Sequence, residues 1–349
     1  MEKQNIKSNS VISVIPAISV ALQKWYAQNQ RVLPWRASKD PYAIWISETM
    51  LQQTTTQAVR PFFERFLKRF PTLQSLAKAK QEEVVEAWAG LGYYSRARNL
   101  HAAAITLAKE GIPKDFASWL KLPGVGPYTS RAVSSLAFGE EVGVLDGNVI
   151  RVLSRIFALK LEWWKTKERN QLQSISDQLV KFGDPSVVNQ SLMELGALVC
   201  TPKSPSCMSC PVSKQCLALK NDLVADLPLR KKPAERTILH WSPFVVEDGG
   251  RLALVQNTYA PFLKGQWLYP GQCEKKQTKP KNYRFVHYIT QYDIYVSPKE
   301  LEPQSIKALT SVKWISADKI KSVNPSSLLQ KVIIAIGANK TEKEVEVYG

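Results

Sequence analysis

From Val20 to about Leu219 the apolar residues recur three and four apart, the period of helices that bury one face. The pattern predicts helix within Tyr42–Phe70, Glu82–Trp88, Ser95–Leu107, Thr129–Leu136 and Val149–Leu159, with proline and glycine breaks between them. Beyond about 237 the texture changes. Ile238–Val246, Arg251–Gln256 and Tyr283–Val296 alternate or are rich in β-branched residues, which predicts strands. Between the two regimes lies Asp226-Leu-Pro-Leu-Arg-Lys-Lys-Pro233, basic and proline-bearing. The expected organisation is a tail (1–16), a mostly α body (17–225), a basic linker (226–237), a small α+β domain (238–340) and a second tail (341–349). No internal repeat is evident.

Composition narrows the partners. At 349 residues and 44% hydrophobic, the chain can bury two cores. No apolar run approaches the ~20 residues that span a bilayer, so a soluble protein without a membrane partner is expected. Lys and Arg outnumber Asp and Glu by 47 to 30, a net charge of +17. A balance this one-sided points to a polyanion, and with no basic amphipathic membrane helix in view, to nucleic acid.

Four of the five cysteines, Cys200, Cys207, Cys210 and Cys216, follow C-x6-C-x2-C-x5-C within the loop 200–216. A disulfide framework belongs to small secreted chains, whereas this one is long and no signal peptide is expected. Four thiolates suit a tetrahedral Zn²⁺ or a [4Fe–4S] cluster, and the unequal spacing leans toward iron–sulfur. Lys203, Lys214 and Lys220 make the loop basic. Cys273 stands apart and reads as a packed small hydrophobe. A reducing, cytoplasmic setting fits this usage.

Three further segments carry candidate chemistry. Leu122-Pro-Gly-Val-Gly-Pro-Tyr-Thr129 is a glycine turn opening a helix, either an ordinary interhelical turn or an anion site for a nucleic-acid phosphate. With Phe116–Leu120 before it, the turn would complete a helix–hairpin–helix. Asp146, in Leu145-Asp-Gly-Asn-Val149, reads as a helix N-cap or as a carboxylate at a cleft edge. Glu48 lies among Ile44, Trp45, Met50 and Leu51; it is either a surface ion pair or an acid whose pKa is raised by apolar surroundings. Two carboxyls in different environments are what glycosidic cleavage needs.

Taken together, these motifs resemble the MutY adenine DNA glycosylases of the helix–hairpin–helix, iron–sulfur superfamily. The resemblance rests on Leu33-Pro-Trp-Arg36, Ser47-Glu-Thr-Met-Leu-Gln-Gln-Thr54, Gly90-Leu-Gly-Tyr-Tyr-Ser-Arg-Ala-Arg-Asn-Leu100, the Leu122–Thr129 turn, Leu145–Val149, Glu194-Leu-Gly-Ala-Leu-Val-Cys200 and the cysteine loop. It implies a monomeric enzyme of base excision repair, bound to double-stranded DNA, that flips adenine out of an adenine:8-oxoguanine or adenine:guanine mispair. By the same resemblance Glu48 protonates the adenine and activates water, Asp146 stabilises the sugar cation, and Tyr128 and Asn148 position Asp146 and the sugar. Leu33, Trp35, Arg36 and Gln190 wall the adenine, although Leu33 and Trp35 also read as core. Gln53 and Tyr93 wedge into the helix, Gly124, Val125 and Gly126 grip a phosphate, and the four cysteines hold a [4Fe–4S] cluster. Endonuclease III relatives carry a Schiff-base lysine where this chain has Tyr128, so a monofunctional glycosylase is expected. The alternatives are a lyase acting on oxidised pyrimidines and an inactive iron–sulfur scaffold.

The C-terminal part resembles the Nudix-like domain that senses 8-oxoguanine in this family. Gly265-Gln-Trp-Leu-Tyr-Pro270 echoes one family strand, and His287–Ile294 aligns with another reading H-x-F-S-H. Here the last three positions are Ile289, Thr290 and Gln291, the expected mispair-sensing residues. No Nudix hydrolase box of clustered glutamates occurs, so pyrophosphatase activity is not expected.

Overall fold

The computed structural model describes residues 9–232, 235–309, 311–324 and 326–347, with side chains between 13 and 337. Residues 1–8, 348 and 349 of the expected tails, and 233–234 of the expected linker, lie outside the described residues. The chain divides into two units, Met1–Lys231 and Lys232–Gly349.

The first unit is helical. Four helices carry what matters for function, and proline or a short polar side chain starts each of them. Asp40 accepts from the Tyr42 amide at 3.0 Å and Pro41 takes the first position of helix Pro41–Leu51. Gly126-Pro127 opens helix Pro127–Phe138, which ends at Gly139 in the left-handed conformation. Asp146 accepts from Val149 at 2.7 Å and starts helix Gly147–Ile156. Asp184-Pro185 starts helix Pro185–Leu198 in the same way as Asp40-Pro41. Helix Pro41–Leu51 packs on Pro127–Phe138, which packs on Pro185–Leu198, which in turn packs on Gly147–Ile156. Trp45 and Trp119 meet at 5.8 Å between ring centroids, and Phe66 and Trp88 at 5.9 Å. Phe116–Trp119, the turn around Gly124 and helix Pro127–Phe138 form the expected helix–hairpin–helix. Gly124 has φ 72°, and a Cβ there would come within 2.5 Å of the Asn99 Cβ.

Several boundaries differ from the expectation. The 1–16 tail is shorter, because helix Asn9–Asn29 already runs through Val11–Ile15 and buries Ile15 with Ile18 and Leu22. The apolar period there was continuous across Pro16. Tyr42–Phe70 is two helices, Pro41–Leu51 and Thr56–Arg69, parted at Gln53, whose φ is 58°. The first residues of the expected linker are docked on the helical unit: Leu227 is buried, its carbonyl accepts from Arg155 Nε at 2.9 Å, and that of Leu229 accepts from Trp163 Nε1 at 2.9 Å. At the other end, helix Ser327–Val347 extends into the expected 341–349 tail.

The second unit holds helices, one mixed sheet and one antiparallel sheet. In the first, strand Thr237–Val245 lies between Gly271–Lys276 (antiparallel) and Tyr292–Val296 (parallel), with Phe285–Ile289 outermost and Lys299–Glu300 pairing at one end. In the second, Arg251–Gln256 pairs with Glu247–Asp248, Trp267–Leu268 and Val312–Ser316. Leu239, Trp241, Ile294 and Val296 form a core with Leu328, Leu329 and Val332 of the last helix. Cys273 is a half-buried free thiol packed against this core. The expected strand Tyr283–Val296 is a hairpin, Phe285–Ile289 and Tyr292–Val296. Thr290, at φ 48°, and Gln291 form its turn and Ile289 ends its first strand. Strand-favouring Ile289, Thr290, Tyr292 and Ile294 hide a two-residue turn, which carries none of the usual glycine or asparagine. No helix among the described residues is long and apolar enough to cross a membrane.

Candidate active site and cysteine centre

A cleft of about 610 Å³ in the helical unit is lined by Glu48, Asp146, Tyr128 and Asn148 together with Leu33, Trp35, Arg36, Gln190 and Gln53. Nine residues singled out from separate stretches of sequence thus share one cavity. Tyr93, Gly124, Val125 and Gly126 do not line it, and Ile289, Thr290 and Gln291 belong to the second unit.

Glu48 projects from helix Pro41–Leu51, of which every residue from Tyr42 to Met50 is buried. Only 5% of Glu48 is exposed. Burial pushes its pKa up to about 7, with the nearby Asp146 adding to the effect. Tyr128 opposes this by donating its hydroxyl to Glu48 Oε2 at 2.8 Å. The same hydroxyl lies 3.2 Å from Met193 Sδ, so Tyr128 orients the expected acid, where the family resemblance set it beside Asp146. The ion-pair reading of Glu48 fails: among the described residues it forms no salt bridge.

Asp146 is the N-cap and also lines the cleft. One oxygen caps Val149; the other accepts from Asn148 Nδ2 at 3.1 Å. Burial raises its pKa, while these donors favour the anion. Asn148 is itself held by Arg151, which donates from Nη2 to Asn148 Oδ1 at 2.8 Å and to the Gly196 carbonyl at 2.7 Å. A Cβ on Gly196 would meet the Asn148 Cβ at 2.6 Å, so this crossing of helices needs glycine.

Arg36 and the unforeseen Arg31 converge on Glu194. Arg31 donates from Nη2 at 2.7 Å and Arg36 from Nη2 at 2.9 Å to Glu194 Oε2. Burial works against a charge on Glu194, but the hydrogen bonds from both arginines outweigh it and hold its pKa down at about 2. Arg31 carried no signal of its own; it precedes the Leu33–Arg36 motif by two residues. Glu194 stood in a quoted motif, yet nothing in its spacing showed that it answers two arginines from a distant stretch. Trp35 is both wall and core, lining the cleft and meeting Phe63 edge-on at 5.5 Å. Gln190 accepts from Tyr26 at 3.0 Å and donates to Ser186 at 3.2 Å.

The four cysteines surround a second, apolar cavity with Val152, Ile156 and Val212. All four thiols are free. Among the described residues no group of three or more His, Cys, Asp or Glu forms a site for a metal ion. The thiols instead border a common space, with the Val212 amide aimed at Cys210, those of Leu219 and Ala218 at Cys216, and Arg155 Nη1 at 3.4 Å from Cys200 Sγ. Burial raises the Cys210 thiol to about 11 and that of Cys216 as well, while these amides act the other way, so the charged form the cysteines would need as ligands depends on a positive centre between them. Arg151 Nε donates to the Cys200 carbonyl at 2.7 Å, joining this loop to Asn148. Lys203, Lys214 and Lys220 are exposed around it.

Residues 46–178 match the HhH-GPD superfamily of base excision DNA repair proteins. A solved thermostable thymine-DNA glycosylase is 27% identical and superposes with a TM-score of 0.55 over 61% of this chain and 100% of its own. An endonuclease III in a DNA complex, 23% identical, shares the fold at a TM-score of 0.51 over 61% of this chain and 98% of its own. The adenine DNA glycosylase of Buchnera aphidicola subsp. Baizongia pistaciae is 35% identical over 334 residues, 91% of this chain and 88% of that protein. Those of Arabidopsis thaliana (37% identical) and Homo sapiens (43%) match over 73% and 59% of this chain, and the matched stretches span only 47% and 40% of those longer relatives. The chain belongs to the adenine DNA glycosylase family.

Proposed function

We propose that this protein is a monofunctional adenine DNA glycosylase of base excision repair. It acts as a monomer in the cytoplasm on duplex DNA with adenine opposite 8-oxoguanine or guanine. The observation that carries the reading is the pairing of Glu48 and Asp146 in one cleft under different local constraints. Protonated Glu48 donates to the extruded adenine, turning a poor anionic leaving group into a neutral one. Asp146, whose pKa burial raises while Val149 and Asn148 donate to its two oxygens, faces the cation that develops on the sugar. Glu48, deprotonated by that step, is then placed to activate water. Glu194 offsets one of the two positive charges of Arg31 and Arg36 and fixes both guanidinium groups beside Leu33, Trp35 and Gln190, which line the cleft that would receive the base.

Cys200, Cys207, Cys210 and Cys216 would hold a [4Fe–4S] cluster, whose bonds to sulfur close the loop and present Lys203, Lys214 and Lys220 to DNA. Gly124, Val125 and Gly126 would bind a backbone phosphate at the start of helix Pro127–Phe138. The hairpin end at Ile289, Thr290 and Gln291 would sense the base opposite adenine.

The test is single-turnover adenine release from duplexes with adenine opposite 8-oxoguanine, guanine, cytosine or thymine. Fast release opposite 8-oxoguanine and slower release opposite guanine supports the reading, and no release from any duplex overturns it. Lys39, at the cleft rim, gives the lyase alternative a candidate amine. Borohydride trapping of a protein–DNA adduct would favour that alternative.

A further inference from the structure

Two exposed residues, one lining the cleft and one outside its lining, share an unusual backbone. Gln53 and Tyr93 both have left-handed dihedrals, φ 58° and 50°, although both carry a Cβ. Such strain persists only where the surroundings dictate it. Burial does not explain it here, since both side chains face solvent, Tyr93 with 54% of its surface.

What holds both is a single guanidinium. Arg96 Nη1 donates to the carbonyls of Thr49 at 2.9 Å, Met50 at 3.2 Å and Gln52. These lie at the end of helix Pro41–Leu51, where carbonyls lack intrahelical partners. Nη2 donates to Leu91 at 3.3 Å and Gly92 at 3.4 Å, the two residues before Tyr93. The guanidinium also lies over the rings of Trp88, 5.6 Å from the centroid, and Tyr93, at 5.3 Å. Its Nε is buried and has no partner among the described residues. A planar fork can serve two segments at once, whereas an ammonium is a point donor.

A base that leaves a duplex must be unstacked, and the gap it leaves favours a side chain that can fill it. We propose that Arg96 is a positioning residue: it locks Gln53 and Tyr93 at a fixed separation, as paired probes that enter the duplex while the base is extruded. Arg96 touches neither the base nor the sugar. This inference rests on the glycosylase reading above and adds to it the residue that couples the two probes.

The experiment uses the full chain and two duplexes with adenine opposite 8-oxoguanine, one otherwise fully paired and one with mismatched pairs flanking the adenine. The mismatches supply unstacking from the DNA side. Arg96→Gln should slow single-turnover release from the paired duplex by about 10-fold or more, the scale of misplaced contacts. It should also weaken the 2-aminopurine fluorescence rise that reports extrusion. On the mismatched duplex it should run within about threefold of wild type, a rescue that general loss of structure does not give. Equal loss on both duplexes, or no loss on either, overturns the inference. So does a further slowing when Arg96→Gln is added to the Gln53→Ala/Tyr93→Ala double variant, because Arg96 would then act through something else. If Arg96→Gln does not fold, Arg96→Lys is read by the same criteria. Wild type that releases no adenine from either duplex counts against the glycosylase reading itself, whereas an active wild type matched by an active Arg96→Gln counts only against Arg96.

Discussion

Tyr128 gives its hydroxyl to Glu48 at 2.8 Å, so two residues from separate helices meet directly and the tyrosine bears on the expected acid. A donor to a carboxylate stabilises the anion and lowers its pKa. Tyr128→Phe removes that donor and leaves only the Arg36 charge to oppose burial. The basic limb of the single-turnover rate–pH profile should therefore move to higher pH, by roughly one unit for a hydrogen bond to a charged acceptor. A limb that stays where it is would show that Glu48 is not the titrating acid.

Glu48→Gln separates activity from stability. The substitution removes the transferable proton, so adenine release should be lost at every pH. Stability should respond in the opposite sense. The Glu48 pKa rises from an ordinary 4.5 to about 7 in the fold, so the folded state binds the proton more tightly than the unfolded chain. Its stabilising contribution is complete below about pH 4.5 and disappears as pH rises through about 7. At pH 8 wild type carries a buried carboxylate at a cost on the order of 3 kcal/mol, which the neutral amide avoids. Glu48→Gln should thus melt higher than wild type at pH 8, with the gap closing toward pH 4.5. Parallel melting curves across that range would sink the assignment.

The helical period, the proline and glycine breaks, the glycine turn at Leu122–Thr129 and the four cysteines made much of the first unit legible, because each acts within a few residues of itself. Glu48 and Asp146 were legible for the same reason: one sits in an apolar helix, the other opens a helix. What stayed hidden depends on distant pairing. Nothing local to Arg31 announces that it meets Glu194, and nothing near Arg151 announces that it spans Asn148 and the Cys200 carbonyl. Tyr128 could be assigned to the site but not aimed, because its partner lies on another helix. The turn at Thr290 and Gln291 was concealed by residues that favour strands on both sides of it.

Glu194 should behave as a structural anion. Its pKa falls from 4.5 to about 2, so its contribution to stability is complete above about pH 4.5 and is lost as pH falls through about 2. Glu194→Gln leaves two guanidinium groups facing a neutral amide. The cost at pH 7 should be about 2–3 kcal/mol, below the usual figure for a broken buried pair because the Arg31 side chain is 34% exposed. Urea unfolding at pH 7 should resolve the difference, and the two proteins should converge as the pH approaches 2. A loss that does not depend on pH would mean that packing, rather than charge, is at stake.

Arg151 makes the cysteine loop and the Asp146 carboxylate, the proposed stabiliser of the sugar cation, parts of one network. By donating to Asn148 Oδ1 it turns the amide so that Nδ2 faces Asp146, and by donating to the Cys200 carbonyl it ties that orientation to the loop. Arg151→Met keeps much of the apolar stem but frees the amide to flip, which would place an oxygen against the Asp146 carboxylate. The donor to the Asp146 oxygen is then lost where positive charge must be stabilised, and release should slow by about 100-fold. Binding to a mispaired duplex should change by less than about threefold, since the basic loop lysines and the hairpin turn at Gly124 remain in place. Slowed release with retained binding and retained iron content supports an orienting role for Arg151. Loss of iron together with binding would mean that Arg151 serves the loop alone, and the path from Cys200 to Asp146 would then end at the backbone.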